Sequence, residues 1–280
     1  MCQSRAVIGG VLFVLGMIIG SFLNVCILRI PAGESIVHPR SRCPKCNQAI
    51  AAYDNIPVLS WTLLGGKCRG CKTPISALYP AVELLTGLLF LACYFAFGLT
   101  VETAKWAALC ALLVVLMVTD LRERILPDKV NLTGAVIGLA FSLLTPVADG
   151  SAMALAGRWF AFPPPAAVLS FADALLGAAA GYGFLWIVSE GYFRLRGREG
   201  MGLGDVKMMG MVGTFMGMKA TLLTILAGAL LGSVIGTSFM LMRRKDSQYE
   251  LPFGTFLGAA ALLVIFCGKP LLNWYFAGLR

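Results

Sequence analysis

The chain has 280 residues, of which 58% are hydrophobic and only 13% charged. A soluble domain of this length cannot hide so much apolar surface, so the bilayer is the expected solvent. The formal charge of +9 needs no nucleic-acid partner to explain it, because Lys and Arg collect on the cytoplasmic loops of membrane proteins.

Eight apolar runs follow one another, near 6–28, 80–98, 104–119, 130–147, 168–193, 207–218, 220–242 and 252–276. Most approach the roughly 20 residues that a helix needs to cross the hydrocarbon core. The expected fold is therefore all-α: a polytopic membrane protein of about eight transmembrane helices with a small zinc-binding cytoplasmic loop module. The expected divisions are a first transmembrane helix at 1–28, the module at 29–79 and a transmembrane core at 80–280. The first run is long, lacks a clear small-x-small exit and ends in the polar "SFLNVCILRIP", which argues against a cleaved signal peptide.

The segment 29–79 is rich in Pro, Gly and charge and carries "CPKC" (Cys43, Cys46) and "CRGC" (Cys68, Cys71), two C-x2-C pairs separated by 21 residues. Four thiolates can enclose a tetrahedral zinc, and each x2 spacing sets two sulfurs of one turn on the same ion. Such a site is structural, since four sulfurs leave no position for water. The other reading is a pair of disulfides, against which a reducing cytoplasm argues. The remaining cysteines (Cys2, Cys26, Cys93, Cys110, Cys267) are scattered, mostly in apolar runs, and read as small core residues.

The second run opens on "YPAVELLTG" and places Glu83 inside an apolar stretch. The third ends in "VVLMVTDLRERILPD", with Asp120 at its end and Asp128 just beyond. The segment 145–169 is long and Pro-rich, and no chemistry is read in it. Asp173 and Glu190 lie near the two ends of the fifth run, and like Glu83 and Asp128 they serve as helix-end or packing residues on the plainest reading. The run 207–218 is short and holds three glycines, which suggests a thin, tilted or water-lined helix. It is preceded by "GREGMGLGDVKMMG", in which glycines surround Asp205.

With the N-terminus outside and eight spans, the inner loops are 29–79, 120–130, 194–207 and 243–251, and they hold 17 of the 23 Lys and Arg residues. Merging the runs on either side of Lys219 would put the basic cluster of 243–251 outside, so eight spans fit better. Asp120 and Asp205 then lie at similar depth on the cytoplasmic side. Two carboxylates that share a site can share a proton, one acting as base on a water while the other protonates a carbonyl oxygen. Gly202 and Gly204 remove bulk beside Asp205 and let an extended peptide approach. Asp205 near a helix N-terminus and Asp120 near a helix C-terminus would make Asp205 the ionised base and Asp120 the protonated acid. His38, the only histidine, lies in the cysteine-bearing loop, which rules out an H-E-x-x-H zinc protease and argues against a Ser–His one. Two further readings stay open: a transporter whose same-side acids bind protons or cations, and a zinc-bearing structural subunit of a secretion machine.

The segments "GSFLNVCILRIP" (20–31), "SRCPKCNQAIAAYDNIPVLSW" (41–61), "GGKCRGCKTPISALYPAVELLTG" (65–87), "TDLRERILPD" (119–128), "MGLGDVKMMGMVG" (201–213) and "LPFGTFLG" (251–258) occur in this order. Together they closely resemble the bacterial type IV prepilin peptidases, the GxGD aspartic membrane proteases that also serve type II secretion. The resemblance covers most of the chain. It implies cleavage of the basic leader of prepilins or pseudopilins at the cytoplasmic face of the inner membrane. It also implies N-methylation of the new N-terminal residue, usually Phe, with S-adenosylmethionine as donor. Asp120 and Asp205 fall on the family's catalytic positions, and Cys43, Cys46, Cys68 and Cys71 are retained. "PFG" (252–254) resembles the Pro-containing element that faces the active site in GxGD proteases. No soluble methyltransferase fold and no glycine fingerprint after a strand accompanies these motifs. Methyl transfer therefore rests on the resemblance, which leaves the 29–79 module, "GSFLNV" and Glu83 as candidates for that site.

Overall fold

The computed structural model describes residues 2–147, 149–157, 164–198, 200–243 and 252–277. Among them are ten α-helices, one short 3-10 turn and two isolated β-bridges, with no strand. The protein is thus all-α. Five helices are long and apolar enough to cross a membrane: α1 (Cys2–Arg29), α3 (Leu78–Phe97), α4 (Val101–Glu123), α7 (Ala166–Arg196) and α9 (Met218–Arg243). Three more, α5 (Asp128–Leu144), α8 (Leu203–Met216) and α10 (Phe253–Ala277), occupy the other expected apolar runs. Residues 244–251 of the basic loop, and residues 148 and 158–163 of the Pro-rich segment 145–169, fall outside the described residues.

Proline and glycine punctuate these helices. Pro127 and Pro165 stand at the N-caps of α5 and α7, where the fixed φ suits a helix start. Gly217, at φ 79°, separates α8 from α9, so the two runs beside Lys219 are two helices rather than one.

The chain forms two compact units, Met1–Val115 and Leu116–Arg280, with the division inside α4. In the first, α1 and α3 lie antiparallel with their backbones in close approach. A Cβ at Gly16 would come within 2.8 Å of Gly87 Cα, and one at Gly20 within 2.8 Å of Glu83 Cα. Small residues at such crossings let helix backbones touch, which is how helices associate where lipid offers no hydrophobic drive. Between α1 and α3 the chain makes the cysteine module, including the 3-10 turn Ala52–Asn55 and the one-turn helix α2 (Leu59–Leu63).

In the second unit α8 is the central element. Ten of its 14 residues are buried, and α5, α7, α9 and α10 pack around it. This accounts for its length: α8 is sheathed by other helices rather than by lipid, so it need not match the bilayer thickness. Its glycines admit the neighbours, since a Cβ at Gly213 would stand 2.1 Å from the Gly177 carbonyl of α7. Far from Asp205, at the other end of α8, a polar lock holds the start of the 145–169 segment. Asp173 accepts from the backbone N–H groups of Gly150 (3.2 Å) and Ala152 (2.6 Å), at the start of the short helix α6 (Ser151–Ala156). Asp149 accepts from the Lys219 N–H at 3.1 Å. Asp173 is therefore a packing and capping residue.

Candidate functional site

Two groups of side chains singled out in the sequence come together, one in each unit. In the first unit the Sγ atoms of Cys43, Cys46, Cys68 and Cys71 all lie within 4.8 Å of one another. Cys43 and Cys71 are 3.7 Å apart, and Cys46 and Cys68 are 4.0 Å apart. A tetrahedral zinc with sulfurs at about 2.3 Å requires S–S edges of about 3.8 Å, so these residues fit the metal. All four are free thiols, and the pairs in contact run across the two motifs.

The local reason is a loop built twice. In each motif the N–H following the second cysteine bonds back to the first cysteine's carbonyl: Asn47 to Cys43 (2.9 Å) and Lys72 to Cys68 (3.0 Å). Asn47 and Lys72 both take positive φ, 56° and 59°. The first cysteine's own N–H then reaches across to Gln48 or Thr73, and a β-bridge closes each loop, Arg42 with Ala49 and Lys67 with Pro74. Hydrogen bonds at Thr73, side chain then backbone, bring the Cys71 thiol down to about 6. At Cys46 the Gln48 backbone pulls downward but is outweighed by burial and the neighbouring thiols, which push it up to about 11. Four thiolates so close repel one another unless a cation stands among them. Arg69 clamps the second loop to the 3-10 turn through two bonds to Asp54, at 2.8 and 2.6 Å, which hold the Asp54 carboxyl below its usual range.

In the second unit Asp120, in the last turn of α4, and Asp205, in the first turn of α8, converge on Gly254 in the first turn of α10. A Cβ at Gly254 would lie 3.0 Å from Asp205 Oδ1 and 3.2 Å from Asp120 Oδ2, so no side chain fits between the carboxylates. Both acids are buried, at 5% and 8% exposure. Leu126, on the link from α4 to α5, packs against both glycines that adjoin the pair: its Cβ and Cδ1 would meet a Cβ at Gly204 and Gly254 at 2.9 and 2.8 Å. At the rim Lys207 pairs with Asp128 at 2.7 Å, which gives Asp128 a surface role.

Thr255 was not singled out in the sequence. Its N–H donates to Asp120 Oδ2 at 2.7 Å and its Oγ1 lies 2.8 Å from the same oxygen. A hydroxyl one residue beyond "PFG", in the first turn of an apolar helix, was the available signal. The contact weighs against the proton assignment expected from the sequence. The helix α4 continues through Glu123, so Asp120 is not at its very end, and the N-terminus of α10 supplies it with N–H donation. Asp205 Oδ1, by contrast, is buried without a hydrogen-bond partner. Donors stabilise a carboxylate, and an ionised oxygen without any is costly. Asp120 Oδ2 therefore has the donors that suit a carboxylate, and Asp205 Oδ1 has none.

Glu83, in the first unit, is also buried, and its Oε2 accepts from the Val58 N–H at 2.7 Å. It is not among the residues whose ligand atoms gather at the cysteine cluster.

Residues 14–97 match the family model described as the bacterial peptidase A24 N-terminal domain, and residues 107–237 match that of the type IV leader peptidase family. The chain is similar to a prepilin leader peptidase/N-methyltransferase of Myxococcus xanthus, 41% identical over 248 residues, covering 87% of this chain and 68% of that one. Relatives of the same name are found in Aeromonas hydrophila, 35% identical with 94% and 92% of the two chains covered, and in Xanthomonas campestris, 36% identical with 95% and 94% covered. No solved structure gives a significant match.

Proposed function

The chain belongs to the type IV leader peptidase family, and on that premise we propose that it removes the basic leader from type IV prepilins, including type II secretion pseudopilins, through Asp120 and Asp205. The new N-terminal residue then receives a methyl group. The observation that carries the peptidase reading is the convergence of the two carboxylates on Gly254, a position without a side chain. Family membership disfavours the transporter reading.

The geometry supports the following course of reaction. A peptide entering over Gly202 meets no side chain from that position, where a Cβ would find its nearest side-chain atom, Asp205 Oδ2, at 3.8 Å. Asp120, held ionised by Thr255, takes a proton from a water as that water attacks the scissile carbonyl carbon. Asp205 gives its proton to the carbonyl oxygen. Collapse of the tetrahedral species breaks the C–N bond, and the proton held by Asp120 passes to the departing amine. As the new carboxyl group forms, a hydroxyl of the tetrahedral species returns its proton to Asp205, so each acid ends as it began.

Cys43, Cys46, Cys68 and Cys71 would hold one zinc, which cross-links the module and supplies folding energy rather than chemistry. S-adenosylmethionine is the methyl-donating second substrate by family. The excess of Lys and Arg on the loops supports a cytoplasmic location, at the inner membrane, for the loop that carries the module and for the ends of the helices that carry Asp120 and Asp205. There a prepilin, anchored by its apolar helix with its basic leader in the cytoplasm, presents its scissile bond, so lipid is part of the working environment. The test is to incubate the purified chain in lipid vesicles with a prepilin and S-adenosylmethionine. A product shortened by the leader and heavier by one methyl group is expected, and an intact substrate would overturn the reading.

A further inference from the structure

The methyl-transfer half of the proposed activity, on which this inference rests, needs a group that handles an amine. The new N-terminus leaves the peptidase step as an ammonium at neutral pH and has no lone pair to offer until it loses a proton. Among the described residues five acids are buried: Glu83, Asp120, Asp149, Asp173 and Asp205. Asp120 and Asp205 belong to hydrolysis. Asp149 and Asp173 are committed to the polar lock described above. Glu83 is left, and its surroundings are unusual in two ways.

First, it is a buried carboxylate at the end of a membrane helix whose hydrogen-bond partners are neutral: the Val58 N–H at 2.7 Å and the Ser21 hydroxyl. A buried carboxylate normally sits beside a cation, because a neutral donor offsets only part of the lost hydration. Second, the N–H it holds belongs to a strained turn. Val58 has φ 61° and ψ −48°, and the Leu59 N–H bonds to the Pro57 carbonyl at 2.6 Å. This is the rare γ-turn with positive φ at its centre, and a β-branched residue occupies it. Strain of this kind is found where a backbone is held ready for a ligand. The site is bordered along the chain by Ile56 and Leu59, both half-exposed and apolar, which can receive a hydrophobic first residue.

We propose that Glu83 is the ammonium-binding residue and general base of methyl transfer. The substrate's N-terminal ammonium displaces the Val58 N–H from Oε2, and the turn relaxes. One N–H bond of the ammonium breaks and its proton goes to the carboxylate, leaving a neutral amine and a carboxylic acid. The nitrogen lone pair then forms a bond to the methyl carbon of a sulfonium donor, while the carbon–sulfur electron pair stays on sulfur. The product is a secondary ammonium and a neutral thioether, and Glu83 returns its proton to solvent.

Glu83→Gln separates this role from a structural one. Glutamine keeps an oxygen for the Val58 N–H but cannot take a proton. In vesicles with prepilin and S-adenosylmethionine, this variant should still shorten the substrate, as a control for folding, and methylate it at least about 100-fold more slowly than wild type. Wild-type methylation by Glu83→Gln overturns the proposal, as does loss of cleavage and methylation together. A readout without turnover is amide hydrogen exchange at Val58: adding unmethylated mature pilin, with no methyl donor, should speed exchange in the wild type. Unchanged exchange counts against the displacement. If wild-type protein cleaves but never methylates, the methyl-transfer reading itself fails, and this proposal fails with it.

Discussion

At the residue scale the pair is decided by what each oxygen can find. Asp120 and Asp205 were visible in the sequence because an acid at the end of an apolar run is costly. Their partners were not. Thr255 lies 135 residues from Asp120 and reaches it only when the first turn of α10 meets the last turns of α4. The dipole argument behind the expected proton assignment, made on one helix at a time, omitted the N-terminus of α10. Thr255→Val tests the new assignment. It keeps the N–H donor and removes the hydroxyl, a hydrogen bond to a charged group worth about 1.5–3 kcal/mol, so cleavage should slow roughly 10- to 100-fold. Thr255→Ser should retain most of the activity. An unchanged rate in Thr255→Val would show that the hydroxyl does not hold Asp120 ionised.

At the scale of elements, two devices carry the architecture. The cysteine loops were legible because C-x2-C spacing is itself a ligand geometry; their repeated hydrogen-bond pattern was not, because the shared feature is backbone conformation at Asn47 and Lys72. Elemental analysis of purified protein should find one zinc per chain. Cys68→Ser should lose the metal and lower both activities through the fold. The ligands must be thiolates, so metal is held at neutral pH and released as pH falls and protons compete for sulfur. Protein free of metal, with disulfides in place, would contradict this. The second device is α8. Its glycines signalled a special helix in the sequence, yet nothing there distinguished a water-lined helix from one sheathed by protein. Gly213→Ala places a methyl 2.1 Å from a backbone carbonyl that has no rotamer to move, so overpacking should cost about 1–3 kcal/mol or more. Thermal unfolding in detergent should show a lower midpoint, and an unchanged midpoint would mean that α7 and α8 are not so close.

At the scale of the molecule, the eight apolar runs reappear as eight helices, because apolar length and Gly–Pro punctuation are local signals. The division into two compact units inside α4 was not legible, since no composition change marks Val115. The distribution of Lys and Arg predicts that the 194–198 segment faces the cytoplasm. Trypsin should cut there in inverted vesicles and leave it intact in sealed spheroplasts, and the reverse pattern would contradict the orientation. The central claim is that Asp120 and Asp205 act together, and it is tested most directly by one comparison. Wild type, Asp120→Asn and Asp205→Asn are placed in the same lipid vesicles with one prepilin, and leader release is timed by mass. The account predicts that wild type releases the leader, while each variant, inserted and folded, is slower by roughly 10²- to 10⁴-fold, the contribution of a positioned acid or base. Near-normal release by either variant would contradict it.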